Sequence, residues 1–260
     1  MREPFSRTLS NGSIVATAVH AGHDLRPEIA ALIALDDETR LREEDPYTDV
    51  IIQEIGTRFV VHRSRFEVDL NRPRERAVYV DPADAWGLHV WAQALPDRAR
   101  EASLAIHDQF YDELATHLDG VARNGPFLVL DVHSYNHRRQ GPMHPPAPAA
   151  DNPGVNVGTG FLDRARWGTA VCRFIDLLGA EEVAGRPLDV RENIRFRGGY
   201  LSQWVSAHYA TTACPLALEF KKVFMDEWTG VPDDQHLSEL RAALGRASRA
   251  VAEFIAEEPR

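Results

Sequence analysis

The sequence predicts an α/β fold in three layers, a central β-sheet covered by helices on both faces. Three observations predict it. Two short runs, Phe127–Val132 (FLVLDV) and Pro215–Phe220 (PLALEF), are apolar almost without interruption, as in strands covered on both sides. Three longer stretches, Pro96–Val121, Phe161–Leu178 and Leu237–Ala256, repeat apolar residues at helical spacing. Strand and helix signals alternate along the chain with no repeat or low-complexity block, which is the pattern of one catalytic α/β domain over residues 1–260.

Taken in order, Ser13–Val19 (SIVATAV) is rich in β-branched and small apolar residues and reads as a buried strand that stops at His20. Pro27 can open a helix through PEIAALIALD, because proline costs nothing in the first turn, where its missing N–H has no partner anyway. Phe59–Val61 and Phe66–Leu70 read as short strands. After the helix over 96–121, the strand from Phe127 delivers His133 to the sheet edge. The following GPMHPPAPAADNPG is too dense in Pro and Gly for either regular structure and is a candidate lid. Near the end of the late strand stands Glu219.

Bulk properties exclude several classes. A net charge of −10 and no clustered Lys/Arg run argue against nucleic-acid or anionic-membrane partners. No run of about 18 apolar residues could span a bilayer, and residues 1–20 lack a secretory leader pattern, so a cytoplasmic enzyme is expected. Cys172 and Cys214 form neither a C-x-x-C pair nor a disulfide framework.

In open α/β sheets ligands collect at the carboxyl ends of strands, so polar residues that terminate apolar runs are the ones to suspect. His20 in VHAGHD, Asp131 with His133 in LDVHS, and Glu219 in LEFKK are three such places. Two histidines and a carboxylate that leave one position open suit a catalytic zinc. A strand-end histidine is also commonly a hydrogen-bonded structural residue, and the spacing matches neither H-E-x-x-H nor a cysteine motif. A serine nucleophile at Ser134 is disfavoured, since no G-x-S-x-G elbow is present and adjacent strand residues face opposite sides.

VHAGHDLRPE, the TD of YTDV, VDLNRP, LDVHS, NVGTGF, IRFRGGYLSQW and LEFKKVFMDE occur in one order from about His20 to Glu227. In this the chain resembles the N-formylglutamate amidohydrolases, a branch of the zinc-carboxypeptidase-like hydrolases. The resemblance implies a zinc-carboxypeptidase-like fold and one Zn²⁺ held by His20, His133 and Asp49, with Asp24 and Glu28 as weaker third ligands. His23, which stands where the wider class has a glutamate ligand, is assigned to substrate or to a supporting role beside the metal. Glu219 becomes the general base.

Arginines are the natural partners of a carboxylate substrate, because a guanidinium binds it bidentately and keeps its charge when desolvated. Arg72 is the candidate for substrate binding and Arg195 and Arg197 are candidate catalytic arginines, one to stabilise the oxyanion while another holds the α-carboxylate; the last two share a face if their segment is extended. Asn71, Ser134 and Tyr200 are possible hydrogen-bonding neighbours. Asp131, two residues before His133, could orient its imidazole. The expected reaction is hydrolysis of a small anionic N-acyl amino acid, most simply N-formyl-L-glutamate to formate and L-glutamate. The alternatives are hydrolysis of another small formyl, formimino or acyl amide or of a peptide, or a metal-containing binding protein, which would have no need of Glu219. Oligomeric state is not legible.

Overall fold

A computed structural model describes residues 2–257. In chain order these form β1 (Phe5–Thr8), β2 (Ile14–Ala18), α1 (Pro27–Ala30), α2 (Asp37–Glu43), α3 (Thr48–Ile51), β3 (Thr57–Val61), α4 (Asp97–Ala122), β4 (Phe127–Tyr135) and β5 (Val155–Gly158). Then follow α5 (Arg164–Gly179), the hairpin β6 (Glu182–Val183) and β7 (Arg186–Pro187), β8 (Val190–Glu192), α6 (Tyr200–His208), β9 (Ala213–Lys221) and α7 (Asp234–Glu257). The main sheet is mixed, with seven strands among the described residues in the order β1-β3-β2-β4-β9-β5-β8. β3, β2, β4 and β9 are mutually parallel; β1 runs against β3, and the β5–β8 pair, parallel to each other, runs against β9.

The two-residue period of β4 sorts its side chains. Leu128, Leu130 and Val132 enter a core shared with α3, α5 and α7; Phe127 and Val129 enter a second core beneath α4 and α6. Each such fully buried side chain contributes about 1.5–3 kcal/mol of apolar burial. Beyond Val129 the second face continues with Asp131, His133 and Tyr135. There the apolar cover ends and chemistry begins. The chain leaves β2 toward β3 on one side, while β4 leads to strands on the other, so β2 and β4 flank a topological switch point, where such sheets hold ligands.

Two sequence expectations differ from the structure. The helix expected through PEIAALIALD stops at Ala30, because Ile33 bridges to Trp91 and the Ala34 N–H donates to the Val90 carbonyl. Phe66–Leu70 is a turn, not a strand: Glu67 and Val68 donate back to Ser64, and Asp69 donates to Ala77. Its apolar residues are buried even so, which is why the alternation misleads. No helix among the described residues is long and apolar enough to cross a membrane.

Candidate active site

His20 lies two residues past β2, His133 near the end of β4, and Glu219 near the end of β9. In the parallel register His133 stands directly beside Glu219, so both side chains project from one face. The third participant is Asp45, between α2 and α3, whose N–H donates to the His20 carbonyl at 2.9 Å. His20, Asp45 and His133 are each no more than 3% exposed.

The three side chains converge. His20 Nδ1 is 3.2 Å from His133 Nδ1 and 3.2 Å from Asp45 Oδ2, and His133 Nδ1 is 3.1 Å from the same oxygen. The far nitrogen of each ring is turned to a buried carboxylate: His20 Nε2 to Asp69 Oδ1 at 2.7 Å and His133 Nε2 to Asp131 Oδ1 at 3.0 Å. Donation through Nε2 leaves both Nδ1 lone pairs aimed at one another and at a carboxylate oxygen. Three acceptors brought together in a buried place fit a cation. Ligands about 2.0–2.1 Å from a tetrahedral ion stand about 3.3 Å apart, close to the three separations here. The pairing of each ring with a carboxylate is how metal-binding imidazoles are fixed in orientation and tautomer.

Electrostatics support this. Burial opposes the charge of Asp45, but the adjoining His133 and His20 rings outweigh it and hold the carboxyl far below its usual range. Asp69, likewise buried, is held well below its usual range by Arg65 and His20, and also accepts from the Tyr79 hydroxyl. Burial is the largest influence on His133 and would lower it; Asp131 and Asp45 reverse the outcome and raise it. Glu219 differs. Burial pushes its carboxyl up to about 8, with His133 relieving and Asp45 and Asp131 adding to the effect, so it is poised to exchange a proton near neutrality.

A cavity of about 150 Å³ opens onto these groups. Glu219, Arg65, Asn71, Ser134, Arg139 and Trp86 are part of its wall.

A family model for N-formylglutamate amidohydrolase matches residues 12–224. The chain belongs to this family. Among solved structures it is similar to N-formylglutamate amidohydrolase from Ralstonia eutropha, with a TM-score of 0.75 and 16% identity over 97% of this chain and 98% of that one. It is also similar to a gene product of Agrobacterium tumefaciens, with a TM-score of 0.68 and 16% identity over 98% and 97%. No curated protein matches the chain.

Of the residues that the family resemblance singles out, His20, His133, Glu219, Asn71 and Ser134 meet at the cavity. Asn71 Nδ2 is 3.2 Å from His133 Nε2, and Ser134 Oγ donates to Asp45 Oδ1 at 3.3 Å. Gly199 lets Asn71 sit there, since a Cβ on it would lie 2.2 Å from the Asn71 amide nitrogen.

Asp49 is the main correction. It lies in α3, outside the cluster, and Asp45 four residues earlier supplies the carboxylate. Tyr47, in the left-handed region at φ 67°, turns the chain between the two. The tail of α2 that carries Asp45 is pinned from the sheet: Lys222 Nζ donates to the carbonyls of Arg42 and Glu44 at 2.6 Å each. Asp24 bridges to Arg63 and Glu28 pairs with Arg26, and neither belongs to the cluster. His23 pairs through Nδ1 with Glu44 at 2.5 Å, supporting the residue next to Asp45.

The arginines are redistributed. Arg195 and Arg197 flank Phe196 in a loop and are exposed; Arg195 donates to Asn152 and only Phe196 reaches the cavity wall. Arg72 donates to the Asp84 carbonyl, and Tyr200 begins α6 with its ring against Tyr111. Arg65 and Arg139, which motif reading passes over, line the cavity instead. The Pro-rich segment expected as a lid contributes no residue to that wall. Asp69 was within reach of sequence reasoning as the acid of the DLN motif, and Lys222 as the second lysine of LEFKK; Asp45 and Arg139 carry no local signal.

Proposed function

We propose that the chain hydrolyses the amide bond of a small N-acyl amino acid, of which N-formyl-L-glutamate is the simplest, using one Zn²⁺ held by His20, Asp45 and His133. The observation that carries this is the convergence of His20 Nδ1, His133 Nδ1 and Asp45 Oδ2 beside Glu219 in one cavity. When bound, zinc supplies Lewis acidity, which acidifies water and polarises an acyl oxygen.

The rest is done by the chain. Glu219 takes a proton from the attacking water and passes it to the leaving nitrogen, so that amide and water become carboxylate and amine. Burial, by lifting its proton affinity toward neutrality, suits it to both transfers. Arg65, held against Asp69 at 2.9 Å, presents a fixed positive charge on the cavity wall for the oxyanion. Arg139, on the same wall with one N–H group 3.3 Å from Glu43, offers its remaining N–H groups to the substrate carboxylate. Asp69 and Asp131 orient the two imidazoles.

The test is elemental analysis of wild type and His133→Ala, alongside formate release from N-formylglutamate. About one zinc per chain, lost in the variant together with formate release, is expected. Glu219→Gln should keep the metal and lose about 10²–10⁴-fold in turnover. Protein that takes up no divalent metal would refute the reading.

A further inference from the structure

We propose that Trp86 is a specificity platform, and that the preferred substrate carries, beyond its scissile amide, an apolar or aromatic body that lies on this indole and fills a second chamber beside the metal-side cavity. The inference rests on the amide hydrolysis proposed above and names the substrate class for that site.

A cavity of about 160 Å³ shares Glu43, Trp86, Asn136 and Arg139 with the metal-side cavity and is closed by Arg42 and Leu88. A formyl group is a single carbon, far too small to fill it. The charged groups of this chamber are largely engaged already. Glu43 is 3.3 Å from Arg139 and 3.5 Å from Arg42, and Glu227 accepts the backbone N–H groups of His137 and Arg138. Arg42 also stacks on Trp228, 4.4 Å from the ring centre. What the chamber leaves open is the face of Trp86 and the side chain of Leu88, with the buried Asn136 Oδ1 as an unpaired acceptor beside them.

Trp86 is itself anomalous in a second, independent way. Its backbone is in the left-handed region at φ 55° and ψ 27°, where any residue with a Cβ is disfavoured and where a helix terminus ordinarily uses glycine or asparagine. Even so it is a tryptophan, 51% exposed. The indole is steadied by the Arg65 guanidinium 4.8 Å from its ring and by the edge of Tyr79 at 6.4 Å. These contacts still leave the residue 51% exposed, on an unfavourable backbone, at the junction of two cavities. Strained residues gather at ligand sites because the strain fixes a side chain where a ligand needs it. Arg65 both steadies the indole and faces the metal-side cavity, so the platform and the reacting end of the substrate are positioned together.

The test compares kcat/KM of the zinc-loaded enzyme for N-formylglutamate, N-benzoylglutamate, with the aromatic body on the acyl side, and N-formylphenylalanine, with it on the amine side. At least one aromatic compound should exceed N-formylglutamate tenfold or more, and which one does so tells which end enters the chamber. Trp86→Ala should lower that ratio at least tenfold, and Trp86→Phe should restore most of it. N-formylglutamate proving the best of the three, or Trp86→Ala slowing all three equally, would overturn the platform while leaving amide hydrolysis intact. Hydrolysis of none of them would overturn the proposed function and this inference with it.

Discussion

Replacing Glu219 by Gln should stabilise the metal-free protein at alkaline pH, and the size of the gain follows from the site. Burial raises the Glu219 carboxyl from 4.5 to about 8, a displacement of 3.5 pH units. Between those values the folded state binds more protons than the unfolded state, so folding stability falls as pH rises through the window. At about 1.36 kcal/mol per unit, the charged carboxylate costs the fold roughly 5 kcal/mol at pH 8 and above, as a ceiling. Gln keeps the shape without the charge. Urea unfolding of chelator-treated wild type and Glu219→Gln at pH 5 and pH 8.5 should therefore show the variant about 2–5 kcal/mol more stable at the higher pH. The gap should narrow toward pH 5, where wild-type Glu219 is protonated in the folded state. An equal gap at both pH values would refute the claim that Glu219 is held in a site hostile to its charge.

Asp45→Asn should abolish tight metal binding while Asp49→Asn leaves it near wild type, measured by competition with a chromophoric chelator. Asp131→Asn removes the carboxylate partner of the His133 ring and should weaken metal affinity about 10–100-fold in the same assay. Burial lowers Lys222 from 10.5 to about 8, so the unfolded state binds more protons between those values and Lys222 contributes stability that rises with pH across this window. Lys222→Met should lack that contribution in thermal melts at pH 7.5, 9 and 10. Gly199→Ala forces Asn71 away from His133 and should reduce kcat/KM on N-formylglutamate while zinc content stays unchanged; full activity would show that Asn71 can shift without consequence.

The long elements were legible from sequence because their signal is local. Apolar residues three and four apart mark α4, α5 and α7 from the chain alone, and uninterrupted apolar runs mark β4 and β9, since burial on a helix stripe or a covered strand is a property of neighbours in sequence. The same reasoning places His20, His133 and Glu219 at strand ends, and the β4–β9 register then sets the last two side by side. Short elements such as α2, α3 and β8 escaped because three to seven residues carry too little periodicity.

Tertiary structure alone decided which carboxylate and which arginines complete the site. Asp45 and Asp49 lie four residues apart in a segment with no period to read. Asp45 is selected by contacts remote in sequence: its own N–H on His20, and the Lys222 ammonium gripping the carbonyls of Arg42 and Glu44 from the far end of the chain. Arg195 and Arg197 share a face only if their backbone is extended, and it is a loop that turns Phe196, not the guanidinium groups, toward the cavity. The sequence by itself determined the layers and the strand ends at which chemistry could occur, because periodic burial is written between near neighbours. The full cluster was decided by loops whose conformation depends on hydrogen bonds to distant strands.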